Sequence, residues 1–293
     1  MGVAKKVFNE EVAFAPATEH IGSEVSGIDL ANPLPDSVFQ QIQRELHDRS
    51  VLIFHDQNWS PDEHIEFSKR FGPLENHVLS NYCLPGHPEI FVVSNIIENG
   101  KHVGAFGGSK RYHSDLSYMK EPSLGSIFHC LECPEGEGET CFTSMFAVYE
   151  ALPEERKQWL LKRMGVHDYV WNFENHHNDR PPLTDEQKTS TPPRSHPAVI
   201  SHPETGRKAL YLSAVFVRCF EGMEDVESQK IIHELIEFAS QAKFEYVHRW
   251  TPGDVIIWDN RSVLHKALPF DEKNARRRMH RTTVRGSRPT LAV

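Results

Sequence analysis

Three scarcities narrow the class of this 293-residue chain. No apolar run is long enough to span a bilayer, and the first ten residues carry two lysines but no apolar stretch, so no secretory signal is expected. Positive charge is short: 32 Lys and Arg stand against 41 Asp and Glu, a formal net charge of −9. That balance argues against a general nucleic-acid binder, and neither nucleic acid nor membrane is expected as a partner. Cysteine is sparse and odd in number, at five, which disfavours a disulfide framework and leads us to expect reduced thiols and a cytoplasmic protein. Cys130 and Cys133 have zinc or redox spacing, but no second Cys-x-x-Cys accompanies them. They read as core and turn cysteines. Internal repeats and low-complexity linkers are also lacking. The length admits one large domain or two ordinary ones. Apolar content of 39% with 25% charged residues suffices for a packed core without suggesting disorder.

Histidine, by contrast, is plentiful at 18 residues. The pair His113-Ser114-Asp115 is the one that points to chemistry. On a strand, side chains at i and i+2 project from one face. A neutral nitrogen and an anionic oxygen would then stand side by side. One further histidine would complete a two-histidine, one-carboxylate set, which leaves positions open on non-haem Fe(II). Rival His-x-acid pairs are His64/Glu66, His87/Glu89, His177/Asp179 and His202/Glu204. The first lies in an expected helix, where i and i+2 do not share a face. His87-Pro88-Glu89 and His202-Pro203-Glu204 contain proline and read as turns. His177/Asp179 falls in a polar, proline-flanked loop. Only His113/Asp115 precedes an extended-looking run, and the ordinary alternative there is a hydrogen-bonded polar pair.

Along the chain, residues 19–30 and 51–54 read as strands. Residues 36–48 carry a helical stripe of Val38, Phe39, Ile42 and Leu46. Ser60-Pro61-Asp62-Glu63 starts a helix, with Ser as N-cap, Pro at N1 and Glu at N3. Further strands are expected at 90–94 and 126–131, with an Asn99-Gly100 hairpin turn between them. Two helices follow, at 145–152 and 154–164. Residues 172–194 are polar and proline-rich, a long loop of the kind that serves as a lid over an active site, or an ordinary surface insertion. Strands at 198–201 and 208–212, a helix at 225–240 and four late strands at 244–250, 254–258, 262–267 and 277–285 complete the reading. Many short strands with peripheral helices indicate a mainly β protein with a double-stranded β-helix, or jelly-roll, cupin-like core.

Late candidates for a third ligand are His248, His265 and His280. On the last strand, Arg277, Met279, Arg281 and Thr283 share one face and Arg278, His280 and Thr282 the other. Arginines turned inward would call for anion partners, since an uncompensated buried charge costs about 3–5 kcal/mol, and Arg suits bidentate carboxylate binding. The alternative is a basic, solvated edge strand.

Taken together, the pieces resemble the taurine dioxygenase (TauD/TfdA) group of Fe(II)- and 2-oxoglutarate-dependent oxygenases over nearly the whole chain. The resemblance runs through residues 21–30, Phe71-Gly72-Pro73-Leu74, His113-Ser114-Asp115, Gly138-Glu139-Thr140, residues 202–207, Trp258-Asp259-Asn260-Arg261 to His265, and Met279-His280-Arg281. One domain over 1–293 with a lid insertion at 172–195 is expected. The resemblance implies His113, Asp115 and His265 as iron ligands. Thr140 and Arg277 would hold the distal carboxylate of 2-oxoglutarate. Arg281, His77, Leu116 and Ser80 would lie at the substrate. Ser80 departs from a tyrosine of taurine dioxygenase, and Tyr112 replaces a tryptophan, which puts taurine itself in doubt. The implied reaction consumes 2-oxoglutarate and O2, releases succinate and CO2, and hydroxylates a small anionic substrate: a sulfonate, sulfate ester, carboxylate or phenoxyalkanoate. Relatives are commonly dimers or tetramers, so a homo-oligomer is expected. A zinc hydrolase using the same ligands, or a metal-binding jelly roll without catalysis, is the competing reading.

Overall fold

A computed structural model describes residues 11–76, 80–106, 109–176 and 182–292. Two sheets stack at its centre. The larger has eight strands in the order Ala13–Pro16, Ser23–Ser26, Val51–Phe54, Val255–Asp259, Gly125–Glu132, Arg278–Val284, His87–Ser94 and Cys83–Leu84. Its neighbours pair antiparallel except Ser23–Ser26 with Val51–Phe54. The smaller has Thr140–Ser144 between Glu245–His248 and Val263–Ala267. Strand alternation sorts the apolar residues into layers. Val51, Ile53, Phe128, Ile256, Trp258 and Met279 pack inward with Phe142 of the smaller sheet. Leu52, Phe54, Ile127, Val255 and Ile257 face outward under the helix Asp36–Arg49, whose Phe39, Ile42 and Leu46 cover them. A third cluster packs the helices Met145–Ala151 and Asp225–Ala239 over the other side.

Local signals placed most of these elements. Ser60 caps the helix Pro61–Lys69 with a reciprocal Glu63 bond. Asn99 and Gly100 both adopt positive φ, 51° and 75°, between Ile97–Glu98 and Lys101–His102, as a primed hairpin turn requires. Three expectations need correction. His87-Pro88-Glu89 is no turn but the start of a strand. Pro88 lies beyond the pairing with Arg278–Val284 and within the register shift of the pairing with Cys83–Leu84, the edge or bulge setting in which a strand tolerates proline. The expected loop at 172–194 carries regular structure among its described residues: Asn172 lies in the helix Tyr169–His176, Asp185–Ser190 is a helix, and Arg194 opens a strand. The polar composition concealed a second capping box, Thr184 with Gln187. His177 and Asp179 lie outside the described residues. Finally, the strands Ala13–Pro16, Thr140–Ser144, Met164–His167 and Val217–Phe220 were not anticipated.

Between the Pro61–Lys69 helix and the large sheet lies a layer of histidines. His64 is fully buried, stacks on Trp59 at 4.7 Å and meets His129 edge-on at 6.3 Å. Burial holds His64, His129 and His280 below the ordinary histidine range, His280 at about 4. Because the folded state resists protons that the unfolded chain accepts, this stability is full above pH 6.5 and is lost as pH falls below it. The limit is about 1.4 kcal/mol per pH unit for each histidine. The melting temperature should therefore fall steadily from pH 7 to pH 5 in calorimetry; a level profile over that window would contradict these neutral, buried rings.

Candidate active site

His113 and His265 are joined before their side chains are considered. Each donates its backbone N–H to the other's carbonyl, at 3.0 and 2.9 Å, and the rings approach to 4.2 Å. Trp258 and Phe142 wall the His265 ring at 4.9 and 6.1 Å. The His113 Nδ1–H donates to the Arg111 carbonyl at 3.0 Å, which turns the Nε2 lone pair toward Asp115, 3.8 Å from Oδ1. His265 Nε2 lies 3.9 Å from the other carboxylate oxygen. One donor atom from each of the three residues falls within 4.8 Å of the others, and among the described residues this is the group with that property.

The route to that convergence differs from the expected one. His113 forms a single bridge rather than a strand, and Asp115 stands in a turn followed by Leu116 at φ 55°. Asn260 imposes the turn from across the fold. Its Oδ1 accepts the Asp115 N–H at 3.2 Å and the Trp258 indole N–H at 3.0 Å. Its Nδ2 donates to Ser123 Oγ, which donates to the Asp115 carbonyl. Its carbonyl accepts from Ser114 Oγ at 2.7 Å. Tertiary bonds thus hold an αL residue that propensity disfavours.

Burial by itself would raise the Asp115 pKa, but Arg281, with His265 and His113, holds the carboxyl well below the usual carboxylate range. Arg281 Nη1 donates to Oδ1 at 3.2 Å and Ser126 Oγ to Oδ2 at 3.1 Å. Burial lowers both histidines, His265 to about 3, with His113 beside it adding to the shift. Two neutral imidazoles and an anionic carboxylate are the donor states a divalent metal takes. The other late histidines are engaged elsewhere. His248 bonds Asp254 and Tyr246 through its two nitrogens, at 2.9 Å each, and His280 belongs to the layer under the Pro61–Lys69 helix.

Arg277 and Arg281 flank Met279, which is fully buried. A bulge between Arg278 and Met279 re-aims the strand's start. Arg277 is 7% exposed, forms no ion pair among the described residues, and leaves Nε without a partner. Its backbone N–H is held by Asn95 Oδ1 at 2.8 Å. It lines a solvent-open pocket with Val93, Asn95, Phe106, Lys110, Ala267 and Glu272. Thr140, the register partner of Ala267, is 6% exposed and its hydroxyl accepts the Trp250 indole N–H at 3.0 Å. A buried cation without a counter-charge is costly, and this one fits an anionic ligand in the cavity.

An aromatic group rests against the His113 side: Phe216 at 6.5 Å from His113, Tyr118 at 4.9 Å from Phe216, and Tyr169 at 4.8 Å from Tyr118. The sequence reading missed these residues, as it missed Asn260, Asn95 and Trp250. Asn260 lies in the flagged Trp258–Arg261 stretch; nothing local marked the others. His77 lies outside the described residues, and Ser80 begins the short turn Ser80–Tyr82. Tyr112 bonds the Glu245 carboxylate and approaches Cys141 Sγ at 3.1 Å.

Three metal-type donors on a double-sheet core, beside an unpaired buried arginine, define the class of non-haem iron oxygenases that take an acidic cosubstrate. Comparison with known proteins gives the family. A family profile described as taurine catabolism dioxygenase TauD, TfdA family matches residues 13–283. The chain is 33% identical over 271 residues to the alpha-ketoglutarate-dependent 2,4-dichlorophenoxyacetate dioxygenase of Cupriavidus pinatubonensis, covering 89% of this chain and 93% of that one. It is 31% identical over 281 residues to the (S)-phenoxypropionate/alpha-ketoglutarate-dioxygenase of Delftia acidovorans, covering 90% and 92%. A solved structure, AAD-2 in complex with Mn(II) and N-oxalylglycine, superposes with a TM-score of 0.82 at 28% identity, over 96% of this chain and 100% of that one. The protein belongs to the TauD/TfdA family; it is a 2-oxoglutarate-dependent non-haem iron dioxygenase with a jelly-roll core, using Fe(II), 2-oxoglutarate and O2. No helix among the described residues is long and apolar enough to cross a membrane.

Proposed function

We propose that the substrate is a small organic acid carrying an aromatic ring, of the aryloxyalkanoate type, hydroxylated at the carbon beside its ether oxygen. The product of that hydroxylation collapses to a phenol and an oxo acid. In this reading His113, Asp115 and His265 hold the iron, which with 2-oxoglutarate as reductant would activate O2 as the oxidant. Arg277 and Thr140 bind the cosubstrate's distal carboxylate. Arg281 and Leu116 bind the substrate's acid group beside the metal, and His77 and Ser80 are proposed as further substrate contacts. The observation that carries the substrate class is the aromatic group of Phe216, Tyr118 and Tyr169 against His113, on the same centre that Arg281 reaches through Asp115. Aromatic pairs add about 0.5–1.5 kcal/mol each beyond simple burial, so a ring seated there gains over an aliphatic chain. The relatives named for phenoxy acids agree with this.

The test is succinate release under O2 across phenoxyacetates, phenoxypropionates, alkyl sulfates and taurine. Phenoxy acids should give the highest kcat/KM, by tenfold or more; faster turnover of taurine or an alkyl sulfate would refute the assignment. We also propose that the chain is one domain in which the segment 172–195 acts as a lid, because its helix Tyr169–His176 carries Tyr169 of the aromatic group. Substrate should then raise hydrogen-exchange protection of 172–176 and 182–195. The five thiols, none in a disulfide, support a reducing, cytoplasmic setting, and light scattering will show whether the assembly is the dimer or tetramer suggested by the family.

A further inference from the structure

We propose that Trp250 is the positioning residue of the cosubstrate pocket: its indole N–H holds the Thr140 hydroxyl oxygen so that the hydroxyl proton is presented to the distal carboxylate of 2-oxoglutarate. This rests on the reading of Thr140 and Arg277 given above. An indole N–H can only donate, whereas a threonine hydroxyl has one proton to give and two lone pairs to receive with. At the 3.0 Å contact between Trp250 Nε1 and Thr140 Oγ1 the roles are therefore fixed. The oxygen accepts, and the proton must go elsewhere. Among the described residues this is the hydrogen bond the Thr140 side chain makes.

The backbone offers the usual alternative, because a threonine hydroxyl readily turns back onto a nearby carbonyl. Two features oppose it here. Thr140 sits between His248 and Ala267 in the three-stranded sheet, so its main chain is held on both sides. Trp250 cannot swing away to release the hydroxyl. Its ring meets His248 edge-on at 4.6 Å and Phe128 edge-on at 5.5 Å, it is 6% exposed, and its carbonyl accepts from Cys133 Sγ at 3.2 Å. The chain on either side is pinned by Asp254, which accepts from the Thr251 N–H at 2.7 Å and bonds His248 Nε2 at 2.9 Å. The Arg277 guanidinium stands 5.9 Å from the centre of the same Phe128 ring. One aromatic cluster thus supports both an unpaired cation and a hydroxyl donor. Two donors that approach from different elements give a carboxylate two bonds with a defined orientation. Orientation of the distal end fixes where the reactive keto acid end falls relative to the iron ligands.

The test measures binding, on Mn(II)-loaded protein that does not turn over. Two probes are titrated: 2-oxoglutarate, and 2-oxobutyrate, which keeps the keto acid end and lacks the distal carboxylate. Trp250→Phe should raise the Kd for 2-oxoglutarate roughly five- to tenfold and leave that for 2-oxobutyrate unchanged. Thr140→Val should do the same, and the double variant should add little to either. In steady state, Trp250→Phe should raise KM for 2-oxoglutarate while kcat at saturation holds. Equal weakening of both probes would make Trp250 a merely structural residue and overturn the proposal. Weakening by Thr140→Val but not by Trp250→Phe would also overturn it, leaving the role of Thr140 intact. No effect of Thr140→Val would remove the reading on which the proposal rests. Should Trp250→Phe not fold, Thr140→Ser decides: it keeps the accepting oxygen, and a Kd as poor as that of Thr140→Val would count against an indole-held hydroxyl.

Discussion

Asp115→Ala should abolish Fe(II)-dependent turnover and reduce metal affinity by more than the tenfold to hundredfold that loss of an outer-shell partner costs. The carboxylate is the one anionic donor of the set, and its oxygens lie 3.8 and 3.9 Å from the two imidazoles. Removing it also strips Arg281 of its ion-pair partner at 3.2 Å. An unpaired, nearly buried guanidinium is itself destabilising by about 3–5 kcal/mol, so part of any stability loss belongs to Arg281 rather than to the metal. The double variant Asp115→Ala, Arg281→Ala separates the two effects, because it removes the unpaired guanidinium together with the carboxylate. His113→Ala and His265→Ala should likewise lose turnover. Changes at His177 and Asp179 should leave metal stoichiometry untouched. Wild-type turnover and metal content in purified Asp115→Ala would show the triad to be wrongly assigned.

The parts of the fold that could be read from sequence are those written in short-range code. The Ser60 cap, the Asn99-Gly100 turn and the stripe of Phe39, Ile42 and Leu46 each depend on residues within a turn or two of one another. Thr140–Ser144 escaped notice because all five of its residues are buried and three carry hydroxyls, so neither alternation nor apolar content marks it. The polar stretch after Tyr169 misled in the opposite direction, since its helices are set by a cap and by packing rather than by an apolar stripe. The iron-type donors illustrate both cases at once. Their residue types were visible, and so was the late histidine through its family pattern. The turn that brings Asp115 to the histidines was not, because its stabilising bonds come from Asn260, 145 positions away. Extended geometry at Asp115 was a reasonable local inference that a tertiary contact overrides. Trp250 positions the Thr140 side chain through one hydrogen bond and Asn95 holds the backbone of Glu272, Ala275 and Arg277 through three, and such roles have no signature in spacing or composition.

The two arginines of the last strand should separate in their ligands. Arg277 has no ion-pair partner among the described residues and opens onto the cavity that Ala267, the register partner of Thr140, also lines. Arg281 already leans on the Asp115 carboxylate, so an anion bound to it lies next to the metal position. The first arrangement suits the far end of a dicarboxylate and the second the head group of the molecule to be oxidised. Loss of a charge-assisted hydrogen bond costs about 1.5–3 kcal/mol, or roughly tenfold to a hundredfold in affinity. Arg277→Ala should therefore raise the 2-oxoglutarate requirement by at least that factor. Arg281→Ala should chiefly weaken the primary substrate and let 2-oxoglutarate decay run uncoupled from its oxidation. Burial sharpens the contrast. Removing Arg277 relieves an uncompensated cation and should cost the empty protein little stability, whereas removing Arg281 deprives Asp115 of a stabilising charge. Crossover is expected, since both residues come from one strand and flank Met279, and the two losses need not add. Titration of each variant with 2-oxoglutarate and with a phenoxy acid resolves the split. If Arg277→Ala left 2-oxoglutarate binding intact while Arg281→Ala destroyed it, the two roles would have to be exchanged, and the cavity that Arg277 lines would need a different anion.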